Sequence, residues 1–519
     1  MHNPAICPDS QGPKPPRLGV RHDAAAFLLL LVCCLAAEFG YRLYWKGKCA
    51  FFSPQDKGEF FALYTVGEST AGGVPYSDTN FSPPYIVQRQ FDGIINGKNM
   101  RLFLQAKGGE SIYPQSVAFE QALRCRDRRN PGAVLIYASH NDAGKNTGMP
   151  AFEKFKNAVR GRSMLAGDMI YFLESKHLLP SARTMDTYEY HMRRVVELSL
   201  KSGLVPIPAT GVSNLSGIDP AIGGDAGLTH AEIKEILNKG SDLEAAGRNL
   251  EALSYYLGEV KTRQPPFLPY LKYRAARCLQ ALGRYGEAEK YYEEAAEESP
   301  GDNFGRANVR QNAFILSLGA RYGIPVVDAV KVFRAHSPHG IVGDSLFSDG
   351  HHPNIEGYIL LSGSYAEKIS EAFREPVKRH FADRNAVFRD FTLGPERLAE
   401  AYVNSGKWYF AVSVWHPYPG QRLLLARKCF QNSLAVKPGN FGALLNLAMA
   451  EAALKSDMLS NEKEIEWLAK NFYFYSEPKP SNYSAERMRK IIVKLREHHI
   501  DEELLGQIAD SYRKQVSSK

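Results

Sequence analysis

An aspartate and a histidine three residues apart, in the segment Phe347 to Asn354, are well suited to acid–base chemistry. A nucleophilic hydroxyl needs a base, and the base needs an acidic partner that fixes its tautomer. In the order Asp349-x-x-His352, one short loop supplies both groups. Two other interpretations stay open at this point: Asp349 caps a helix, or Asp349, His351 and His352 bind a metal ion. A metal ion would need further ligands, and none stands out with suitable spacing.

The candidate nucleophile is Ser69, in the segment Tyr64 to Gly73 at the end of the first apolar run after the N-terminal region. A nucleophilic serine needs exposure, a tight turn and backbone N–H groups that face the charge developing on attack. A strand that runs through Gly67 into Ser69 at the start of a helix would provide all three, because helix N-termini present free N–H groups. Taken alone the motif has low specificity, since Gly-x-Ser-Thr is common in turns.

Two further segments could supply hydrogen-bond donors to an oxyanion, in addition to the N–H of Ser69. In Lys107 to Ser111, after the second apolar run, Gly109 lets the backbone approach a substrate oxygen and donate an N–H. In Tyr137 to Asp142, after the third run, the amide of Asn141 could donate from a strand end. The alternatives are a flexible turn for the first segment and an Asx turn leading out of a strand for the second.

The elements that must position these residues are short apolar runs separated by helical or loop segments. This alternation is typical of a parallel sheet with crossover helices, in which function sits at the carboxyl ends of the strands. The polar segments described above follow the runs at those ends, so we predict an α/β fold. The five runs are Phe60–Val66, Met100–Leu104, Ala133–Ala138, Leu204–Pro208 and Ile324–Asp328.

A segment of different character, from about Thr229 to Pro300, separates the fourth run from the fifth. It is rich in Ala, Glu, Tyr and Lys, and its first half recurs 36 positions later. Seven residues of the second copy fall at the spacings of a tetratricopeptide repeat: Ala276, Gly283, Tyr285, Ala288, Tyr292, Ala295 and Pro300. A degenerate copy is predicted between 390 and 458. The alternative for both regions is a plain helical bundle, and repeats of this sort usually bind peptides or other proteins.

The N-terminal region, residues 1–50, is predicted to be a cytoplasmic segment followed by a membrane anchor. Three basic residues precede an apolar stretch, Ala24–Ala37, of 14 residues: Lys14, Arg17 and Arg21. The stretch is shorter than the roughly 20 residues of a spanning helix, but it can be extended to Trp45. The alternatives are a cleaved signal peptide and a buried helix. Seven cysteines form no regular framework, so a disulfide pattern cannot be deduced.

The overall composition is that of an ordinary globular protein. Of 519 residues, 44% are hydrophobic and 23% are charged, and the net charge of +8 is mild for this length. There is ample apolar material for packed cores. No basic run with interleaved aromatic residues suggests a nucleic-acid groove, so we expect no nucleic-acid partner.

Four blocks in this order resemble the SGNH/GDSL hydrolase superfamily, which is named for its Ser, Gly, Asn and His. Ser69 matches the nucleophile, Gly109 and Asn141 match the oxyanion donors, and Asp349 with His352 matches the Asp-x-x-His pair. Two departures from the family pattern are Glu68, where Asp is usual, and Ser139, where Gly is usual. Gly343-Asp344-Ser345 spells the family motif but follows no apolar strand, so it is interpreted as a loop.

The resemblance implies a flavodoxin-like parallel sheet with helices on both faces, from residues 55–220 and 305–378. The repeats at 229–300 are then an insertion, and 459–519 is a helical tail. It also implies a serine esterase without cofactor or metal, acting outside the membrane on an acylated, including O-acetylated, envelope glycan or lipid. An O-acyltransferase for an envelope polysaccharide uses the same triad and stays an alternative. A third interpretation is an inactive scaffold that binds a protein through its repeats.

Overall fold

The computed structural model describes residues 20–52, 58–76, 80–142, 148–220, 229–263, 267–299, 306–381, 384–391, 393–414, 420–455, 462–471 and 479–517. Lys14, Arg17 and Pro300, which entered the sequence predictions, lie outside these ranges. The chain divides into two compact units. The first contains residues 1–57 and 150–181, and the second contains residues 58–149 and 182–519.

The second unit is built on a five-stranded sheet. The strands are β1 (Phe60–Gly67), β2 (Ile94–Ile95), β3 (Lys98–Leu104), β4 (Gly132–Tyr137) and β5 (Val205–Pro208). Their order across the sheet is β2-β3-β1-β4-β5. The pairs β1–β3, β1–β4 and β4–β5 are parallel, and four of the strands match the first four apolar runs. The α/β class predicted from the sequence is therefore confirmed.

Helices cover both faces of this sheet, which explains why its central strands are continuous apolar runs rather than alternating ones. Phe61 and Leu63 of β1 face one core, and Ala62 and Tyr64, which alternate with them, face the other. The first core also contains side chains of α2 (Pro83–Gln90), α12 (Ala329–Ala335) and α13 (Ile355–Phe373). The second contains side chains of α3 (Ile112–Leu123), α6 (Met185–Lys201) and α11 (Val309–Tyr322).

Two features of the sheet differ from the sequence prediction. The short strand β2 pairs antiparallel with β3 through a tight turn, so the sheet is mixed rather than wholly parallel. The fifth apolar run, Ile324–Asp328, forms no named strand and makes one parallel bridge, between Val327 and Ala209. Its neighbour β5 ends at Pro208, and the chain beyond turns away into a loop, so little strand remains for the fifth run to pair with.

The inserted segment forms two helical hairpins, α7 (His230–Ala245) with α8 (Asn249–Thr262), and α9 (Leu268–Ala281) with α10 (Tyr285–Glu298). The hairpins repeat each other's contacts at the 36-residue offset. Tyr256 donates its hydroxyl to Glu244 at 2.8 Å, and Tyr292 donates to Gln280 at the same distance. A Cβ on Gly240 would lie 2.2 Å from the Tyr256 ring, so a close helix crossing requires glycine there. Their assignment as tetratricopeptide repeats stays a prediction.

The C-terminal part of the second unit is also helical. Its helices are α14 (Arg384–Asp390), α15 (Pro395–Val414), α16 (Gly420–Val436), α17 (Phe441–Lys455), α18 (Glu462–Asn471), α19 (Ala485–Glu497) and α20 (Glu502–Ser517). Helices α15 to α20 share one apolar core. That core includes Ile218, from the loop after β5. The buried ion pair of Arg422 with Asp219, at 2.7 Å, joins α16 to the same loop.

The first unit consists of three helices, α1 (Val20–Phe52), α4 (Ala151–Arg160) and α5 (Met164–Ser175). Within α1, the stretch Leu28–Cys49 is long and apolar enough to cross a membrane, and none of its most apolar window is buried. It is the one such stretch among the described residues. The sequence prediction of an apolar N-terminal helix is therefore confirmed, by length and composition.

Candidate active site

The loop from Asp349 to His352 contains the candidate acid–base pair. The ring Nδ1 of His352 lies 2.7 Å from a carboxylate oxygen of Asp349, and both side chains are buried. The other oxygen of Asp349 accepts the backbone N–H groups of His351 and His352, at 3.0 and 2.8 Å. Because an ionised carboxylate only accepts, His352 carries its proton on Nδ1 and presents a lone pair at Nε2.

Ser69 lies on the far side of the His352 ring. Its Oγ is 2.7 Å from Nε2 of His352, although the two residues are 283 positions apart in the chain. With the imidazole proton on Nδ1, the hydroxyl of Ser69 donates and Nε2 accepts. The structure therefore brings together the three residues that the sequence predicted as a triad. Ser69 is 8% exposed, so its hydroxyl sits in a largely dry environment.

Strand β1 places Ser69 two residues beyond its last residue, Gly67. A Cβ on Gly67 would lie 2.2 Å from the carbonyl oxygen of Tyr137 in β4, so only glycine lets the two strand ends approach this closely. The predicted helix starting at Ser69 is not present. One helical turn is closed by the bond from Gly72 N–H to the carbonyl of Glu68, and the left-handed φ of +88° at Gly73 ends it.

The glycines after β3 lie next to the serine. A Cβ on Gly108 would contact the Cβ of Ser69 at 3.6 Å, so the main chain of this loop runs beside Ser69. Gly109 follows with a φ of +76°, a left-handed conformation that favours glycine. The conformation turns the chain sharply into α3, which begins at Ile112. The predicted donor Gly109 therefore directly follows Gly108, the residue whose backbone borders Ser69.

Glu68 fixes the loop that carries Asn141. Its two carboxyl oxygens accept the backbone N–H groups of His140, at 2.9 Å, and Asn141, at 3.1 Å. The amide of Asn141 then donates to the carbonyl of Glu110 at 3.0 Å. An amide carries two N–H groups, so the bond to Glu110 orients Asn141 and leaves a second donor for an oxyanion. Glu68 therefore holds the loop after β4 against the end of β1.

Glu68 and Asp142 form a buried pair of carboxyl groups. Burial raises the pKa of Glu68 well above its usual range, and the adjacent Asp142 raises it further. Burial also raises the pKa of Asp142 to about 6, against the bond it accepts from the N–H of Ile112 at 2.7 Å. Because two like charges cannot both be stable in such a dry place, the pair shares a proton near neutral pH. The shared proton lets the pair join the carboxyl ends of β1 and β4 while carrying one negative charge rather than two.

Ser139 and His140 complete the packing under Asn141. The side chain of Ser139 is fully buried and packs against Gly211. A Cβ added to Gly211 would lie 2.7 Å from the Cβ of Ser139. Glycine at position 211 therefore makes room for the serine that departs from the family pattern. His140 donates from Nε2 to the carbonyl of Val212 at 2.9 Å, and burial lowers its pKa to about 4. His140 is therefore neutral near pH 7 and adds no charge beside His352.

Two polar residues that the sequence analysis did not select support the Asp349 loop. Asn214, after β5, donates from one amide nitrogen to the carbonyl of Asp349, at 3.1 Å, and to the carboxylate of Asp344, at 2.8 Å. Asp344 belongs to the segment that spells the family motif, and it lies in a loop as predicted. Asp344 lies five residues before Asp349 in the sequence, and this proximity was the one signal that could have identified Asp344 as a supporting residue.

Trp408 of α15 is the third residue that sequence reasoning missed. A Cβ on Gly350 would lie 2.5 Å from its ring, so Gly350 allows the indole to pack on the loop. The indole meets the ring of His351 edge-on at 5.6 Å, and His351 in turn packs on His352 at 4.0 Å. No local signal could have revealed this contact, because α15 lies far along the chain.

A metal ion is the other chemistry that this loop could support. The ligand atoms of Asp349, His351 and His352 all lie within 4.8 Å of one another. Both ring nitrogens of His352, however, already have partners in Ser69 and Asp349. Metal ligation by His352 would therefore break one of the two bonds, and the geometry fits a proton relay better.

Comparisons with known proteins found similar solved structures at low sequence identity. No protein-family model matches the chain, and neither does any curated protein. A GDSL-like lipase from Bacteroides thetaiotaomicron is 13% identical, with 64% of this chain and 98% of that one covered, at a TM-score of 0.28. A member of the lipolytic G-D-S-L family from Veillonella parvula is also 13% identical, with 61% and 100% covered, at a TM-score of 0.26.

Proposed function

We propose that the chain is an SGNH-type serine hydrolase that transfers acyl groups from esters through Ser69, His352 and Asp349. The observation that carries the proposal is the continuous chain of two 2.7 Å contacts from Ser69 Oγ through His352 to Asp349. Nucleophile, base and orienting carboxylate then have the geometry of a catalytic triad. A structural histidine would not need both ring nitrogens in line between a serine and a buried carboxylate.

The reaction proceeds in two steps. Ser69 attacks the ester carbonyl while His352 takes its proton, and the imidazolium so formed is stabilised by Asp349. The negative charge on the carbonyl oxygen is held by the N–H groups of Ser69 and Gly109 and by the amide of Asn141. His352 then protonates the departing alcohol, which leaves an acyl-enzyme. Water, or another hydroxyl, attacks the acyl group with His352 again as the base, and free Ser69 is restored.

The substrate class and location follow from the anchor and the family resemblance. Basic residues before α1 favour an N-terminus in the cytoplasm, which leaves the larger unit in the periplasm or outside the cell. The substrate is then an acylated, including O-acetylated, glycan or lipid of the envelope. The helical hairpins α7–α10, as tetratricopeptide repeats, offer a surface for a peptide or protein partner. None of these steps needs a cofactor.

Labelling with a fluorophosphonate tests the proposal directly, because the reagent reacts only with an activated serine. The wild-type protein is compared with Ser69→Ala and His352→Ala, which should both lose the label. Ser348→Ala is the matched control: this serine lies in the same loop, but its hydroxyl contacts Tyr76 and the carbonyl of Pro353, at 3.3 Å each. Labelling of well-folded Ser69→Ala at the wild-type level would overturn the assignment.

Acetate release distinguishes hydrolysis from transfer. With an O-acetylated glycan as donor, free acetate formed without an acceptor indicates an esterase. Acetate found only on an added acceptor glycan indicates the transferase. Absence of both reactions, together with absence of fluorophosphonate labelling, would leave a scaffold whose repeats are its working surface.

A further inference from the structure

Helix α4 has its polar and apolar faces inverted relative to a helix of a soluble protein. Its buried residues are all charged or polar: Glu153, Lys156, Asn157 and Arg160. Its apolar residues Phe152 and Phe155 are 47% and 63% exposed. In water this arrangement is unfavourable twice over, because it buries charge and exposes aromatic surface. Such inversion is expected where the surrounding solvent is apolar.

The buried charges of the first unit neutralise one another. Lys156 pairs with Glu153 at 2.8 Å and with Glu174 of α5, and Arg160 pairs with the same two carboxylates. The four side chains are between 2 and 6% exposed. Two cations and two anions make a network without net charge. Ionisable groups inside a membrane pair in this manner and face the interior of their helix bundle.

Helix α5 continues the apolar surface and is joined to α1. Its Met169 and Phe172 are 56% and 57% exposed, while Glu174 is buried. Glu38, in the apolar stretch of α1, accepts the N–H groups of Met164 and Leu165, at 2.9 and 3.0 Å, at the start of α5. The carboxylate thus satisfies orphan donors of the helix N-terminus and has its own partners within the unit.

We propose that α4 and α5 are immersed in the lipid bilayer beside α1, so that the insertion between β4 and α6 is itself a membrane element. The exposed apolar side chains of all three helices then face acyl chains, and the polar network faces inward. At about 1.5 Å per residue, α4 and α5 are roughly 15 and 18 Å long, against a hydrocarbon core of about 30 Å. The hairpin therefore enters the bilayer without crossing it.

Lipid is favoured over a partner protein as the cover of α4 and α5, because their exposed apolar surface is continuous with that of α1. The same unit contains the stretch Leu28–Cys49, which is long and apolar enough to span a membrane. Bonds from Glu38, and from the Tyr41 hydroxyl to Asp168 at 2.6 Å, hold α5 alongside that stretch. A helix fastened to a membrane-spanning one, with aromatic side chains outward, is already in contact with lipid.

Hydrophobic photolabelling of the full-length protein tests this inference and is independent of enzymatic activity. The protein is reconstituted in vesicles of phosphatidylethanolamine and phosphatidylglycerol that contain an apolar diazirine, and labelled peptides are mapped by mass spectrometry. We expect labels on residues 151–175 at a density similar to that on 28–37. Leu250 of α8 is the matched control, since it is 62% exposed but belongs to the second unit, and it should stay unlabelled.

The variants Phe155→Glu and Phe172→Glu supply a second readout. Each introduces a charge that lipid would not solvate, so labelling of residues 151–175 should fall several-fold, while Leu250→Glu should leave that labelling unchanged. Labelling of the wild-type hairpin no higher than that of α8 would overturn the proposal and indicate a surface covered by protein.

Discussion

Replacing Asp349 by Asn changes one atom of the candidate triad and should nearly abolish turnover. One carboxyl oxygen of Asp349 accepts two backbone N–H groups, those of His351 and His352. An Asn at this position keeps its oxygen there, because its NH₂ group would clash with both donors. The NH₂ group must then face Nδ1 of His352, which is forced to accept, and the imidazole proton moves to Nε2.

With its proton on Nε2, His352 can no longer accept the proton of Ser69. In the serine protease triad the same substitution lowers turnover by about 10⁴. We expect a loss of that order, which corresponds to about 5.5 kcal/mol in the activation barrier. The loss should appear in the turnover number rather than in KM, since no contact to the substrate is removed.

The assay is hydrolysis of p-nitrophenyl acetate, with thermal unfolding as a check that the variant folds. Asp344→Asn is the matched control, because Asp344 accepts from Asn214 in the neighbouring loop but does not contact His352. It should retain turnover to within tenfold. If well-folded Asp349→Asn turned over substrate within tenfold of the wild type, the assignment of His352 as the base held by Asp349 would be refuted.

Three further predictions concern residues around the triad. Asn141→Ala should lower the turnover number by about 10²–10³ through loss of one oxyanion donor, and an unchanged turnover number would contradict this role. Because the pKa of Asp142 is raised from 3.8 to about 6, its folded state holds a proton that the unfolded chain releases. The unfolding free energy should therefore fall by on the order of 3 kcal/mol as the pH rises from about 4 to above 6, as measured by urea denaturation. A smaller fall is expected in Asp142→Asn, and an equal one would argue against the assignment. Trp408→Ala should cost about 2–3 kcal/mol of stability, because the half-buried indole fills the space over Gly350, and turnover should fall with it. Unaltered thermal unfolding of that variant would exclude the packing role.

Much of the sheet could be predicted from the sequence because the signal is local. A strand buried on both faces is a continuous apolar run, and β1 and β4 have that pattern. The Asp349–His352 pair could also be predicted, because the two residues are three positions apart in one loop. The local conformation of that loop determines whether their side chains meet. The run Ile324–Asp328 has the same apolar character but makes one bridge, because pairing depends on the neighbouring strand and not on the run itself.

Only the tertiary structure decided the contacts between distant segments. Ser69 and His352 are 283 positions apart, and their meeting depends on the parallel strand order that brings the carboxyl ends to one edge. The contacts of Glu68 with the Asn141 loop and of Trp408 with Gly350 also join segments that are distant in the sequence.

The sequence of helix α4 could not determine which of its two faces is buried. A periodic pattern of charged and aromatic residues predicts an amphipathic helix, but periodicity does not say which face is turned inward. That choice depends on the solvent and on partners elsewhere in the chain, here Glu174 of α5 for Lys156 and Arg160. The sequence by itself determined the elements and their local chemistry. The packing of those elements decided which charges are buried, which apolar faces are exposed, and which serine faces the histidine.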